Sequence, residues 1–227
     1  MNRPGWPPLQ AVVFDLDGVL TDTAHFHFIA WQALAQELGL PFDAAFNERL
    51  KGVDRMGSLA LILAQGSAIY SDEEKQRMAA RKNLHYQQLV SAMDASHLLP
   101  GALRALQSVR AAGLKVGLAS ASRNAPTVLQ RLGIAALFDT VVDAHHVVHS
   151  KPHPEVFLKA AAQLGVPPAA CLGVEDAAAG VAAIKSAGMR ALGVGSAEVL
   201  HQADAVIAGL QQFDLARWLK EPADVQR

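Results

Sequence analysis

The chain is short of several things, and each shortage closes off a class of protein. It has one cysteine, Cys171, in 227 residues, so no disulfide can form within it and a disulfide-stapled secreted scaffold is excluded. It has no excess of either charge. Twenty Lys and Arg stand against 21 Asp and Glu, a net charge of −1, so there is no basic field to hold nucleic acid or an anionic membrane surface. No apolar run approaches the roughly 20 residues that a bilayer-spanning helix needs. The opening MNRPGWPPLQ has no apolar stretch ahead of its prolines, which is unlike a signal peptide. There are no internal repeats and no low-complexity tracts. The expectation is a cytoplasmic protein that engages neither nucleic acid nor membrane.

What is present has an ordinary globular balance, 51% apolar and 18% charged. The length exceeds the roughly 150 residues of a common domain, which suits one large domain or one domain with an insert. Pro4, Pro7 and Pro8 make the first nine residues read as a loose leader. AVVF (11–14) is then a short buried-strand pattern that stops at Asp15. Four similar runs follow: LKVGLA (114–119), TVVD (140–143), ACLGV (170–174) and ALGV (191–194). Helical spacing falls between them, over 101–112, 128–132, 155–164 and 178–187. Asn124 reads as an N-cap, and Gly133, Gly165 and Gly188 read as C-terminal caps. Alternating strands and helices predict a doubly wound, Rossmann-like parallel sheet. Residues 23–97 break the alternation and read as helices. One ends near Leu38 with Ile29, Ala33, Leu34 and Leu38 as its apolar stripe, a second runs through 59–65, and a third runs from Ser71 towards Leu89. The organisation expected is an α/β core of 1–22 and 98–227 with a helical cap, 23–97, inserted after the first strand.

In open parallel sheets, ligands bind beyond the carboxyl ends of the strands. Asp15 and Asp17 follow the first strand, Ser120-Ala121-Ser122-Arg123-Asn124 the second, Ser150-Lys151-Pro152 the third at a short distance, and Glu175-Asp176 the fourth. Four segments thus bring carboxylates, hydroxyls and one lysine to one edge. Four carboxylates together repel unless a hard cation sits among them, and oxygen-only ligation suits Mg²⁺. Two acids spaced i, i+2 can divide nucleophilic attack and proton transfer between them. Gly18 lets the backbone turn tightly, and Lys151 and Ser120 can hold the oxygens of a transferring group. Phosphoryl transfer is the chemistry these residues suit.

FDLDGVLTD, Ser-Ala-Ser after a strand, Lys-Pro, and Glu-Asp followed by AAAG resemble the haloacid dehalogenase superfamily of phosphotransferases, in order and spacing, from Val12 to about Val194. The resemblance implies Asp15 as nucleophile forming an aspartyl-phosphate and Asp17 as general acid/base. It also implies Ser120 and Lys151 as catalytic partners, with Mg²⁺ on Asp15, the Asp17 carbonyl, Glu175 and Asp176. Within residues 23–97, KGVDRMGSL (51–59) resembles the KGVxRxxSL cap loop of β-phosphoglucomutases, whose arginine grips the phosphate that is not being transferred. That implies substrate contacts from Lys51, Gly52, Val53, Arg55 and Ser58. Thr23, His27 and Lys82 would contribute from the cap helices, and Ala121, Ser122, Arg123 and Asn124 from the core. Asp54, Met56 and Gly57 depart from the pattern, and an extra carboxylate at Asp54 would sit beside an anion-binding arginine.

The resemblance implies an isomerase interconverting β-glucose 1-phosphate and glucose 6-phosphate, a small sugar phosphate being its partner, and a closing lid suits a monomer. The alternative is a Mg²⁺-dependent sugar-phosphate phosphatase, which needs no second phosphate grip. His145, His146, His149 and His153 lack cysteine company and read as a solvated surface cluster. Cys171 reads as a small core residue.

Overall fold

The computed structural model describes residues 5–219. In chain order the elements are β1 (Ala11–Phe14), α1 (Thr23–Glu37), α2 (Ala44–Glu48), α3 (Arg55–Leu63), α4 (Asp72–Ser91), α5 (Ala102–Ala111), β2 (Lys115–Leu118), α6 (Ala125–Arg131), β3 (Thr140–Val141), α7 (Glu155–Leu164), β4 (Cys171–Glu175), α8 (Ala178–Ser186), β5 (Arg190–Val194), β6 (Ala205–Ile207) and α9 (Ala216–Leu219). The strands pair in parallel in the order β3-β2-β1-β4-β5-β6. The chain builds outward from β1 to one side, then returns to lay β4 on the other. The carboxyl ends of β1 and β4 therefore flank the crevice where such sheets bind ligands.

Alternation along β1 fixes the two faces. Val12 and Phe14 join a core with Val116, Leu118, Leu106 and Leu129. Ala11 and Val13 join the opposite core with Phe157, Ala160 and Ile184. A strand buried on both faces has no polar alternation, which is why it reads as a plain apolar run. The helices between β1 and α5 bury a cluster of their own, which joins Trp31, Leu34 and Ala35 of α1, Leu59, Ile62 and Leu63 of α3 and Ala79 of α4.

Several expectations need correction. A sixth strand, β6, extends the sheet, and α2 was not foreseen because five residues give little periodicity. The α1 stripe is rotated: Ala30, Trp31, Leu34 and Ala35 are buried, while Ile29 and Ala33 are only half-buried. Helix α3 starts at Arg55, four residues earlier than its apolar pattern suggested, because Asp54 caps it by accepting from the Met56 and Gly57 N–H groups. Asn124 occupies the N-cap position of α6 but makes no side-chain cap bond. The leader is held at Trp6, Pro7 and Leu9 rather than loose; Pro4 lies outside the described residues. Leu9 is buried, Arg190 donates to the Pro7 carbonyl, and the Arg190 guanidinium lies 5.6 Å from the Trp6 ring centre. Among the described residues no helix is long and apolar enough to cross a membrane.

Gly101 carries a structural demand of its own. Its φ is +87°, and a methyl group there would collide with the backbone of Leu210 and Gln211. Gly113 has a similar φ of +72° but open space around it. Gly113→Ala should cost about 1 kcal/mol, the price of a left-handed alanine. Gly101→Ala should cost about 3 kcal/mol because strain and backbone overlap add. Urea unfolding of the two variants checks the difference; equal midpoints would contradict it.

Candidate active site

Asp15 leaves β1 with its N–H bonded to the Val174 carbonyl, so the ends of β1 and β4 are held in step. The chain then turns through Gly18, where φ is +83° and any side chain would collide with the Asp176 carboxylate. The turn is closed by the Gly18 N–H donating to the Thr21 carbonyl at 2.8 Å. Three carboxylates are thereby brought together. Oxygens of Asp15, Glu175 and Asp176 lie within 4.8 Å of one another.

One ammonium stands among them. Lys151 Nζ donates to Asp15 Oδ1 at 2.6 Å and to Glu175 Oε1, and its side chain is 1% exposed. The other Glu175 oxygen accepts from the Ala177 N–H at 2.9 Å, at the start of α8. Gly180 on α8 leaves room for that carboxylate, since a side chain there would overlap it. Burial alone would lower the Lys151 pKa, but Asp15 and Glu175 outweigh it and raise the pKa, so the ammonium stays charged. Burial raises Asp15 well above the usual carboxylate range; Lys151 opposes this, while Glu175, Asp17 and Asp176 add to it. Burial, reinforced by Glu175, pushes Asp176 up to about 7 against the pull of Lys51. An excess of negative charge on largely buried carboxylates is the arrangement a divalent cation relieves. The donors are all hard oxygens, so Asp15, Glu175 and Asp176 fit Mg²⁺.

Asp17 faces elsewhere. It accepts from the Thr23 hydroxyl, and its Oδ1 lies 3.8 Å from His27 Nε2. Burial raises its pKa, with the Thr23 bond working against the rise. His27 is held neutral by burial and by the neighbouring cations Lys82 and Arg55. Its Nδ1 accepts from Lys82 Nζ at 2.7 Å, which puts its proton on Nε2, towards Asp17. Lys82 is buried, lies 4.4 Å from the Trp31 ring centre and is lowered to about 7 by burial and by Arg55. Tyr86, one turn further along α4, stacks on His27 with ring centres 4.0 Å apart. It is fully buried, and its hydroxyl has no partner among the described residues. Sequence reading missed it, although its i+4 spacing from Lys82 places both on one helix face.

These groups border a cavity of about 340 Å³. Asp15, Asp17, Glu175 and Asp176 line it, as do Lys51, Gly52, Val53, Arg55, Ser58, Lys82, His27, Ala121, Ser122, Arg123 and Asn124. Thr23, Ser120 and Lys151 are buried beside those residues rather than lining the space. The structure thus brings together the full set read from the sequence. Ser120 Oγ accepts from the Ser122 N–H at 3.1 Å and shapes the loop after β2. Asn124, instead of capping α6, joins its amide to Asn83 at 2.9 Å and Gln87 at 3.2 Å on α4. Lys51 reaches Asp176 at 3.3 Å and Glu48 at 3.1 Å. Arg55 and Arg123 have no acidic partner within 4 Å among the described residues, and the charge of Arg123 adds to burial in lowering the Arg55 pKa. Two guanidiniums that repel one another at a cavity wall form a place for an anion.

The histidine cluster is exposed, as expected. His145 and His146 pair with Asp143. His149, His153 and Glu155 approach one another, but the Glu155 carboxylate already accepts from the Val148 and His149 N–H groups and pairs with Lys159 at 2.7 Å. Cys171 is buried in β4.

Comparison with known proteins agrees with this geometry. The family described as haloacid dehalogenase-like hydrolase matches residues 9–188. A β-phosphoglucomutase of Bacillus subtilis is 49% identical over 201 residues, covering 88% of this chain and 89% of that protein. A phosphorylated carbohydrates phosphatase of Thermotoga maritima is 32% identical, covering 80% and 82%. The crystal structure of a β-phosphoglucomutase from Clostridium difficile superposes with a TM-score of 0.90 at 45% identity, covering 92% of this chain and 95% of that one. With its acids on the ends of β1 and β4 and its helices inserted after β1, this chain belongs to the haloacid dehalogenase-like family, in the branch that holds the β-phosphoglucomutases.

Proposed function

We infer that this chain is an isomerase of the β-phosphoglucomutase type, moving a phosphoryl group between the C1 and C6 oxygens of glucose. The observation that carries the reading is the pair of guanidiniums, Arg55 and Arg123, which have no acidic partner among the described residues and line the same cavity as Asp15 and Asp17. A hydrolase of monophosphates needs one anion site; a mutase working through a bisphosphate needs two. The close β-phosphoglucomutase relatives support the same choice.

In this reading, phosphorylated Asp15 transfers its phosphoryl group to the C6 hydroxyl of β-glucose 1-phosphate, and Asp17 takes the hydroxyl proton. The bisphosphate turns over in the cavity. The C1 phosphoryl group then passes to Asp15, and Asp17 returns the proton to the C1 oxygen. The pKa of Asp17, raised by burial, suits a group that must take up and release a proton. Lys151 keeps Asp15 oriented and offsets charge on the transferring oxygens, while Ser120 holds the loop carrying Ser122. Arg55, with Ser122, Arg123 and Asn124, grips the distal phosphate. Asp15, Glu175, Asp176 and the Asp17 carbonyl would hold Mg²⁺, which when bound neutralises charge on the transferring group. Residues 23–97 act as a lid over the core of 1–22 and 98–227, because water would otherwise take the phosphoryl group. The partner is a small sugar phosphate, and the working unit is a cytoplasmic monomer.

³¹P NMR with β-glucose 1-phosphate, Mg²⁺ and a trace of glucose 1,6-bisphosphate tests the reading. Glucose 6-phosphate is the expected product. Inorganic phosphate alone would favour the phosphatase activity named for the Thermotoga relative.

Arg55→Ala should lower isomerase flux by at least about 100-fold, since it removes a charge-assisted grip and the positioning that depends on it. Slow release of phosphate should persist or rise. An unchanged ratio of the two products would remove Arg55 from the distal site.

Metal binding should depend on pH in a stated direction. Without metal, folded Asp176 keeps its proton to about pH 7, while the unfolded chain loses it near the ordinary 3.8. Between those values the folded state binds more protons, so this group makes the metal-free protein lose stability as pH rises. Mg²⁺ needs the ionised carboxylate, so its stabilisation grows across the same window. Thermal unfolding with and without Mg²⁺ should show a larger shift at about pH 8 than at about pH 5. Equal shifts would place the ion away from Asp176.

A further inference from the structure

The loop that carries Lys151 touches the helical insert through a pair that the chemistry above does not use. The Ser150 hydroxyl donates to Asp54 Oδ2 at 2.5 Å, and its oxygen accepts from the Asp54 N–H at 3.3 Å. The contact is reciprocal and joins residues 96 apart in the chain. Asp54 Oδ1 meanwhile accepts from the Met56 and Gly57 N–H groups at 2.9 and 3.1 Å, capping α3. One carboxylate therefore starts the helix whose first residue is Arg55 and ties that helix to the residue before Lys151. The two cations that hold the two phosphates in the reading above are each next in sequence to one member of this pair.

Asp54 is suited to hold such a contact. Burial works against its charge, but the Ser150 hydroxyl, the Gly57 and Met56 N–H groups and the nearby Arg123 outweigh it, and the carboxyl lies below its usual range. Its lone pairs are directed at these donors, so it does not compete for the guanidinium of Arg55. The neighbouring link from the same loop, Lys51 to Asp176, rests on a carboxylate that a bound cation would neutralise. The Asp54–Ser150 pair involves no residue of the carboxylate cluster, so a cation bound there takes none of its donors or acceptors.

We propose that Asp54 and Ser150 form a latch between insert and core that fixes the spacing of the two phosphate-gripping ends, and thereby decides how much phosphoenzyme passes to the sugar rather than to water. Both are positioning residues. The role in partition rests on the aspartyl-phosphate reading; the contact itself does not.

Two readouts on the whole 227-residue chain test the latch. Amide hydrogen exchange by NMR reports the contact, and the ratio of inorganic phosphate to glucose 6-phosphate formed from β-glucose 1-phosphate reports the partition. Ser150→Ala leaves the α3 cap intact. It should speed exchange of the Asp54 amide about tenfold or more while the Met56 and Gly57 amides stay protected, and raise the product ratio about fivefold. Ser150→Thr, which keeps the hydroxyl, should restore both. Asp54→Asn retains an oxygen for the cap but loses the charge; it should raise the ratio similarly, and the double variant should be no worse than the worse single one. Unchanged exchange in Ser150→Ala overturns the latch. Faster exchange with an unchanged ratio, or additive effects in the double variant, overturns its part in partition. Absence of protein-bound phosphate in acid-quenched wild type overturns the covalent reading and the partition role together, while the exchange data still decide the contact.

Discussion

The ammonium of Lys151, buried between Asp15 and Glu175, is the interaction on which the site depends. Taking a charge into a protein interior costs several kcal/mol per ion unless partners satisfy it. Here both acids lean on the same lysine, and Glu175 is completed by a backbone N–H of α8. Removing the lysine would leave two uncompensated carboxylates, a loss of about 3–5 kcal/mol by comparison with other broken buried pairs. The surrounding small residues follow from this. Gly18 and Gly180 stand where any side chain would overlap Asp176 or Glu175. Even so, one lysine does not balance Asp15, Glu175 and Asp176, and the remaining negative charge is what fits the cluster to a hard divalent cation.

The same packing separates two acids that are only two residues apart. Asp15 points at Lys151 and the carboxylate cluster. Asp17 points at Thr23 and, through His27 and Lys82, at the helical insert. Burial raises the pKa of both acids, and what separates them is the partner: an ammonium orients Asp15, while Asp17 has a hydroxyl and a neutral imidazole beside it. Because Asp17 is linked to α1 and α4, the position of the insert bears directly on the acid proposed to carry the proton.

Much of this was legible in the sequence, for physical reasons. Strands buried on both faces are plain apolar runs, so β1, β2, β4 and β5 stood out, and the polar residues just beyond them had to share an edge. Two-residue β3 and three-residue β6 offer too little pattern, which is why β3 was overextended and β6 missed. The α1 stripe is hard to place from the sequence because Trp31 and Ala35, which join the buried cluster of the insert, are not the strongest-looking apolar positions in the helix. In the sequence Asp54 reads only as an extra carboxylate beside Arg55, since nothing local shows that Ser150, 96 residues away, and two helix N–H groups take its oxygens. Asn124 was read as a cap for the same reason: its partners on α4 are distant in sequence.

The central claim is that Asp15, held by Lys151, is the residue that carries the phosphoryl group. Rapid mixing with glucose 1,6-bisphosphate and Mg²⁺, followed by acid quench and peptide mapping by mass spectrometry, tests it most directly. The account predicts phosphate on Asp15 in the wild-type protein and none on that peptide in a folded Lys151→Ala protein. Phosphate on Ser120 or Ser122, or no protein-bound phosphate while glucose 6-phosphate is still formed, would contradict it.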